Sequence, residues 1–110
     1  MSSNKLIDAD ELIALEEAGK NPLLLDIRED KELNGELDFF KNAHHIPMND
    51  VDPFDDFFEA HQDEDIILVC HSGNRAGALQ TELEDNGVEN TRVLLGGILR
   101  LGRVMREKKK

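Results

Sequence analysis

Two uninterrupted apolar runs, Leu23-Leu24-Leu25 and Ile66-Ile67-Leu68-Val69, constrain this chain more than any other feature. A strand with one wet face alternates apolar and polar residues. A run that is apolar at every position needs cover on both faces, as the strands of a parallel sheet have. Each run stops on charged or reactive residues: Asp26-Ile27-Arg28 after the first, Cys70 after the second. Thr91 to Leu95 reads as a third strand. Ala43 to Ile46 reads as a short one, ended by Pro47.

Helical patterns fill the intervals. Asp8-Ala9-Asp10-Glu11 has the form of a capping box, with Leu12, Ile13 and Leu15 as an apolar face and Gly19 as a stop. Asn74 to Asn86 places Ala76, Leu79 and Leu83 at helical spacing, ahead of Gly87. Ile98 to Met105 reads as a last helix after Gly96-Gly97. Val51 to Ala60 also reads as a helix, with Phe54, Phe57 and Phe58 packed into the core from one face and Pro53 near its start. Glu29 to Glu36 reads as a short helix and a loop around Asn34-Gly35. Strands that alternate with helices predict an α/β fold, a three-layer sandwich with a mostly parallel central sheet flanked by helices. Ligands of such sheets gather beyond the carboxyl ends of the strands. Asp26-Ile27-Arg28 and Cys70 both lie at such ends.

A chain of 110 residues makes one domain, 1–110, and residues 106–110 read as a frayed basic tail. One cysteine cannot form an internal disulfide, which points to a reducing, cytoplasmic setting. The start lacks the apolar core of a secretory signal, and no apolar stretch has the length of a membrane span. The net charge of -11 argues against nucleic acid and anionic membranes as partners and suits a basic partner protein. Acidic residues crowd between Asp26 and Asp65, whereas the end from Arg92 to Lys110 is basic. No coiled-coil seam is present, so a monomer is expected. His44 and His45 alternate across a strand, and His61 and His71 stand elsewhere, so no metal site is expected.

The segment Cys70-His71-Ser72-Gly73-Asn74-Arg75 carries the chemistry. A compact loop that feeds a helix N-terminus can aim backbone N–H groups at an anion. Gly73 permits the turn and Arg75 adds positive charge. A thiol held there is favoured as thiolate, the reactive form. A cysteine buried at a strand end for packing alone needs neither the glycine, nor the arginine, nor the helix start.

The same loop, Cys-x-x-Gly-x-Arg followed by a small residue, resembles the active-site loop of single-domain rhodanese-like sulfurtransferases. The resemblance runs along nearly the whole chain. Ile7-Asp8-Ala9-Asp10-Glu11-Leu12 resembles the family's opening strand and helix, and Leu25-Asp26-Ile27-Arg28-Glu29 its Asp-x-Arg-Glu signature. Asn42-Ala43-His44-His45-Ile46-Pro47-Met48 resembles the Gly-Ala-x-Asn-Ile-Pro-Leu stretch, and Leu95-Gly96-Gly97-Ile98 the closing Gly-Gly region. The chain departs from the family at Asp38-Phe39-Phe40, where Gly-His-Ile is usual. It departs again near Leu101, where a tryptophan is usual, and at His71, often an arginine.

The resemblance implies a two-step transfer of sulfur. Cys70 takes the outer sulfur of thiosulfate or of a persulfide, and a thiol acceptor then takes it from Cys70. His71, Ser72, Gly73, Asn74 and Arg75 are implied to bind the sulfur group, and Asp26 and Arg28 to brace the site. No metal or organic cofactor is implied. A non-catalytic persulfide carrier, or a regulatory module that binds a protein, is the alternative. Phosphatases and arsenate reductases on the same fold use five residues between cysteine and arginine, and here there are four.

Overall fold

The computed structural model describes residues 5–33 and 35–108, and Asn34 of the expected loop lies outside them. The strands are β1 (Leu6–Ile7), β2 (Leu23–Asp26), β3 (Ala43–His45), β4 (Ile66–Val69) and β5 (Thr91–Leu94). The helices are α1 (Ala9–Glu17), α2 (Asp56–Ala60), α3 (Asn74–Asp85) and α4 (Gly97–Lys108). Single 3-10 turns occupy Asp30–Glu32 and Met48–Asp50.

All the strand pairs are parallel, in the order β1-β5-β4-β2-β3. The most apolar strand, β4, is therefore central. Its side chains alternate between two cores. Ile66, Leu68 and Cys70 join Leu23, Leu25, Phe58, Ala76, Leu79 and Leu83 on the face covered by α2 and α3. Ile67 and Val69 join Leu24, Leu12, Ile13, Ile98 and Leu101 on the face covered by α1 and α4. This two-sided cover is why every position of β2 and β4 is buried. Full burial of one such aliphatic side chain stabilises the fold by about 1.5–3 kcal/mol.

Helix α1 starts where expected, but no capping box forms. Asp8 accepts from the N–H of Ala9, while Glu11 lies 3.8 Å from Arg92. Its other end closes by the left-handed motif that Gly19 permits. The N–H of Gly19 donates to the Glu16 carbonyl and that of Lys20 to the Leu15 carbonyl, each at 3.0 Å.

Three expectations need correction. The helix read over Val51 to Ala60 begins only at Asp56, capped by the Asp55 side chain on Phe57 N–H at 2.8 Å. Asp52 accepts from Phe54 N–H in the same way and turns the chain before the helix. Phe54 is thereby left 78% exposed, and only Phe58 of the phenylalanine trio is fully buried. Between Glu29 and Glu36 the expected short helix is present as the 3-10 turn of Asp30–Glu32. At the other end, Arg106 to Lys108 of the expected frayed tail continue α4, where Val104 and Met105 pack on the core, and Lys109 and Lys110 lie outside the described residues.

Candidate active site

The loop from Cys70 to Gly73 leaves the carboxyl end of the central strand and enters α3 directly. Gly73 is the N-cap, with φ of +104°, a conformation that side-chain-bearing residues rarely adopt. This turn folds the start of the helix back over the cysteine. The Gly73 N–H donates to Cys70 Sγ at 3.0 Å and the Ala76 N–H at 3.4 Å. The first-turn N–H groups of a helix have no carbonyl partner within it, and they carry the positive end of its dipole. Here they are spent on sulfur. Cys70 is only 1% exposed, so the sulfur is enclosed by donors rather than bathed in water.

A second helix start fixes the other side of the loop. Ile98 N–H donates to the Cys70 carbonyl at 2.9 Å, and Leu99 N–H to the His71 carbonyl at 3.1 Å. Gly97, with φ of +58°, sits hard against these carbonyls. A Cβ there would collide with the Cys70 carbonyl oxygen and lie 2.6 Å from that of His71. The loop is thus held between two helix N-termini, one aimed at the sulfur and one at the backbone.

Asp26 and Arg28 form the neighbouring strand end. Arg28 is 3% exposed and donates from Nε to Asp26 Oδ1 at 3.0 Å and from Nη2 to Asp26 Oδ2 at 2.9 Å. Its own backbone N–H also donates to Asp26 Oδ1 at 3.0 Å, and Nη2 reaches Glu36 Oε1 at 3.2 Å. Burial pushes the Arg28 pKa down, but the hydrogen bonds and charges of Asp26 and Glu36 outweigh it and leave the pKa above its ordinary value. The Ile27 N–H donates to the Val69 carbonyl at 2.9 Å, which ties this strand end to the residue before Cys70. His45 Nε2 lies 2.7 Å from the Arg28 carbonyl.

The predicted loop residues separate into four positions. Cys70 and Gly73 meet at the sulfur. Ser72 and Asn74 are exposed and line a groove with Leu95 and Gly96 on the β5 side. His71 is exposed on the opposite side, in a groove of about 420 Å³ that Arg28 and Glu36 share with α4. Arg75 is half-buried in the first turn of α3. Ala76 supplies the donor that sequence reasoning passed over. Its position as third residue of a helix that starts at Asn74 is the signal that finds it. Among the described residues, no three His, Cys, Asp or Glu side chains are grouped to hold a metal.

A parallel α/β sandwich with a cysteine loop at the end of its central strand defines the class of fold. The sequence matches the Rhodanese-like domain over residues 8–101, and the chain belongs to that family. A rhodanese-like domain protein from Staphylococcus aureus is similar, with 28% identity and a TM-score of 0.69. The match covers 89% of this chain and 91% of that one. A rhodanese-related protein from Thermoplasma volcanium has 26% identity and a TM-score of 0.66, over 91% of this chain and 92% of that one. A Rhodopseudomonas palustris protein of unknown function, described as a possible tyrosine phosphatase, shares the fold at a TM-score of 0.74 and 17% identity. That match covers 94% of this chain and 83% of the other. No curated protein matches this sequence. Among the described residues, no helix is long and apolar enough to cross a membrane.

Proposed function

We propose that this protein is a sulfurtransferase that carries a sulfane sulfur on Cys70. The observation behind this reading is the pair of backbone N–H groups, from Gly73 and Ala76, directed at Cys70 Sγ. They stabilise negative charge on sulfur, which the reaction places on Sγ in the thiolate and on the sulfur bound to it in the persulfide. The Cys70 thiolate attacks the outer sulfur of thiosulfate. A new S–S bond forms, the S–S bond of thiosulfate breaks, and sulfite leaves with its electron pair. The product is a Cys70 persulfide anion. An acceptor thiolate then attacks the outer sulfur, and the Cys70 thiolate departs with the electrons of the bond it loses. Donor and acceptor exchange one neutral sulfur atom, and no external oxidant or reductant is required.

Arg75, on the first turn of α3, adds positive charge next to the loop. Asp26 and Arg28 act by positioning, since the backbone bond between Ile27 and Val69 anchors the strand end before the cysteine. Thiosulfate-to-cyanide transfer, read as thiocyanate formed, tests the reading. Turnover by the wild type and none by Cys70→Ala supports it. A Cys70→Ala variant with full turnover contradicts it.

The enclosure of Cys70 also favours a second reading, a carrier that receives sulfur from a protein donor and is slow with free thiosulfate. Persulfide found on Cys70 together with negligible thiosulfate turnover would select it. A phosphatase is disfavoured by the four-residue spacing between Cys70 and Arg75, which leaves less room for a tetrahedral phosphate than a five-residue loop.

A further inference from the structure

A groove of about 280 Å³ lies between α2 and the C-terminal end of α3. Its apolar side is Pro53, Phe54, Phe58 and Val88, and its charged side is Asp55 and Glu59. Phe54 is 78% exposed, more than any other large apolar side chain among the described residues. Its backbone is nonetheless fixed. The Phe54 N–H donates to Asp52 Oδ1 and the Asp55 N–H to the Asp52 carbonyl, each at 2.9 Å. The ring is therefore held out to solvent by a hydrogen-bonded turn. A ring presented in this way loses little freedom when a partner covers it.

Charge decides what can cover it. From Asp50 to Asp65 eight side chains are acidic and none is lysine or arginine. Asp55 and Glu59 form no ion pair among the described residues. Helix α3 ends at the groove with no basic residue in its last turn, so the negative end of its dipole adds to the field of the carboxylates. Lys5 and Arg92, basic side chains near the start of the sheet, are engaged by Glu84 at 2.9 Å and by Glu11 and Asp65 at 3.8 Å. An acidic peptide, a nucleic acid or a second copy of this chain, with its net charge of -11, is repelled. A basic segment is attracted. Arginine is the side chain that suits an aromatic ring beside carboxylates, because its planar guanidinium stacks on the ring and bonds a carboxylate through two N–H groups.

We propose that this groove is the docking site for a basic protein, which sets an arginine between the Phe54 ring and the carboxylates of Asp55 and Glu59. The rest of the basic segment lies along the acidic stretch that ends at Asp65. The 12 residues of α3 put roughly 18 Å between the groove and the Cys70 loop, at 1.5 Å per residue, so the docked partner leaves the sulfur site open. The groove serves attachment, whatever chemistry Cys70 performs.

The probe is a capped peptide of arginines alternating with glycines, titrated into the full chain and followed by amide resonances. The control peptide has citrulline, close in shape but uncharged, in place of each arginine. The arginine peptide should shift the amides of Phe54, Glu59 and Val88, and its binding should weaken several-fold as salt is raised to about 0.5 M. Phe54→Ser should weaken binding about tenfold, and Asp55→Asn combined with Glu59→Gln at least as much. Asparagine caps a helix as well as aspartate does, so the double variant keeps α2 folded. No shift of these amides by the arginine peptide overturns the proposal, and so do equal shifts by the citrulline peptide. Shifts of the same amides that grow with protein concentration alone, and are lost in Phe54→Ser, would make a second copy the occupant and overturn it as well. Binding is read without any sulfur donor, so its failure and a failure of sulfur transfer are separate results.

Discussion

The two strand ends at the head of the sheet treat charge in opposite ways. At the end of β2, Arg28 and Asp26 neutralise one another, with two guanidinium nitrogens on the carboxylate and Glu36 alongside. At the end of β4, the donors are backbone N–H groups, and what they face is a single polarisable sulfur. Both ends are buried, so burial does not distinguish the ion pair from the cysteine. Under the proposed sulfur transfer, what distinguishes them is whether the charge is closed within the protein or held ready for a partner from outside. The β2 end has an aliphatic neighbour, Ile27, in the α3-side core, and the β4 end has Cys70 in the same core. The two ends are coupled by the Ile27 to Val69 hydrogen bond.

This contrast can be broken most forcefully at Arg28. Arg28→Met leaves Asp26 buried without its cation and should cost about 3–5 kcal/mol of stability, measured by urea unfolding. Asp26→Leu combined with Arg28→Met removes both charges and should recover most of that loss. If the single variant is as stable as the wild type, the pair is not a brace. The sign of its pH dependence follows from the raised Arg28 pKa. A raised folded value gives stability that is complete below the unfolded value and is lost as pH rises through the folded one. On the arginine side the brace is thus constant through the neutral range and fails only in strong alkali.

Gly97→Ala comes next. It sets a methyl group against the Cys70 and His71 carbonyls at a left-handed position, so the loop or α4 must move. A loss of about 1–3 kcal/mol is expected, with sulfur transfer reduced by more than the stability change explains. Normal transfer in this variant would show that the second helix start does not position the loop. The smallest effect is expected far from both strand ends. Phe54→Ser removes an exposed ring and should shift stability by less than about 0.5 kcal/mol, with transfer unchanged. A large loss of stability would mean that the ring packs against something the exposed position does not suggest.

The parts of the fold legible in the sequence are those in which local pattern and tertiary burial agree. Leu23 to Leu25 and Ile66 to Val69 are apolar at every position because both faces of their sheet are covered, and one such face carries the Ala76, Leu79 and Leu83 ridge of α3. Val51 to Ala60 misled because aspartates compete with the helix. Asp52 and Asp55 each bond a backbone N–H two residues on, and together they delay the helix to Asp56 and turn Phe54 outward. Residues 106–110 read as a tail by charge alone, whereas Arg106 to Lys108 belong to α4, in which Val104 and Met105 pack on the core.

At the site, the sequence marks Cys70 and Gly73 through the strand, turn and helix that surround them. It marks Asp26 and Arg28 as a brace at a strand end, but the two-point geometry of their pair appears only in the structure. The docking of Cys70 and His71 on the start of α4 is likewise invisible beforehand, since it joins residues distant in the chain. Gly96-Gly97 is its one trace, a pair of glycines where the backbone must come close to another segment.

The central claim is that Cys70 Sγ holds a transferable sulfur under the N–H groups of α3. Intact-mass and peptide mass spectrometry after incubation with thiosulfate, and separately with glutathione persulfide, tests it most directly. The account predicts a gain of one sulfur atom on the Cys70 peptide, removed by added thiol and absent from Cys70→Ala. No sulfur on Cys70 with either donor would contradict it.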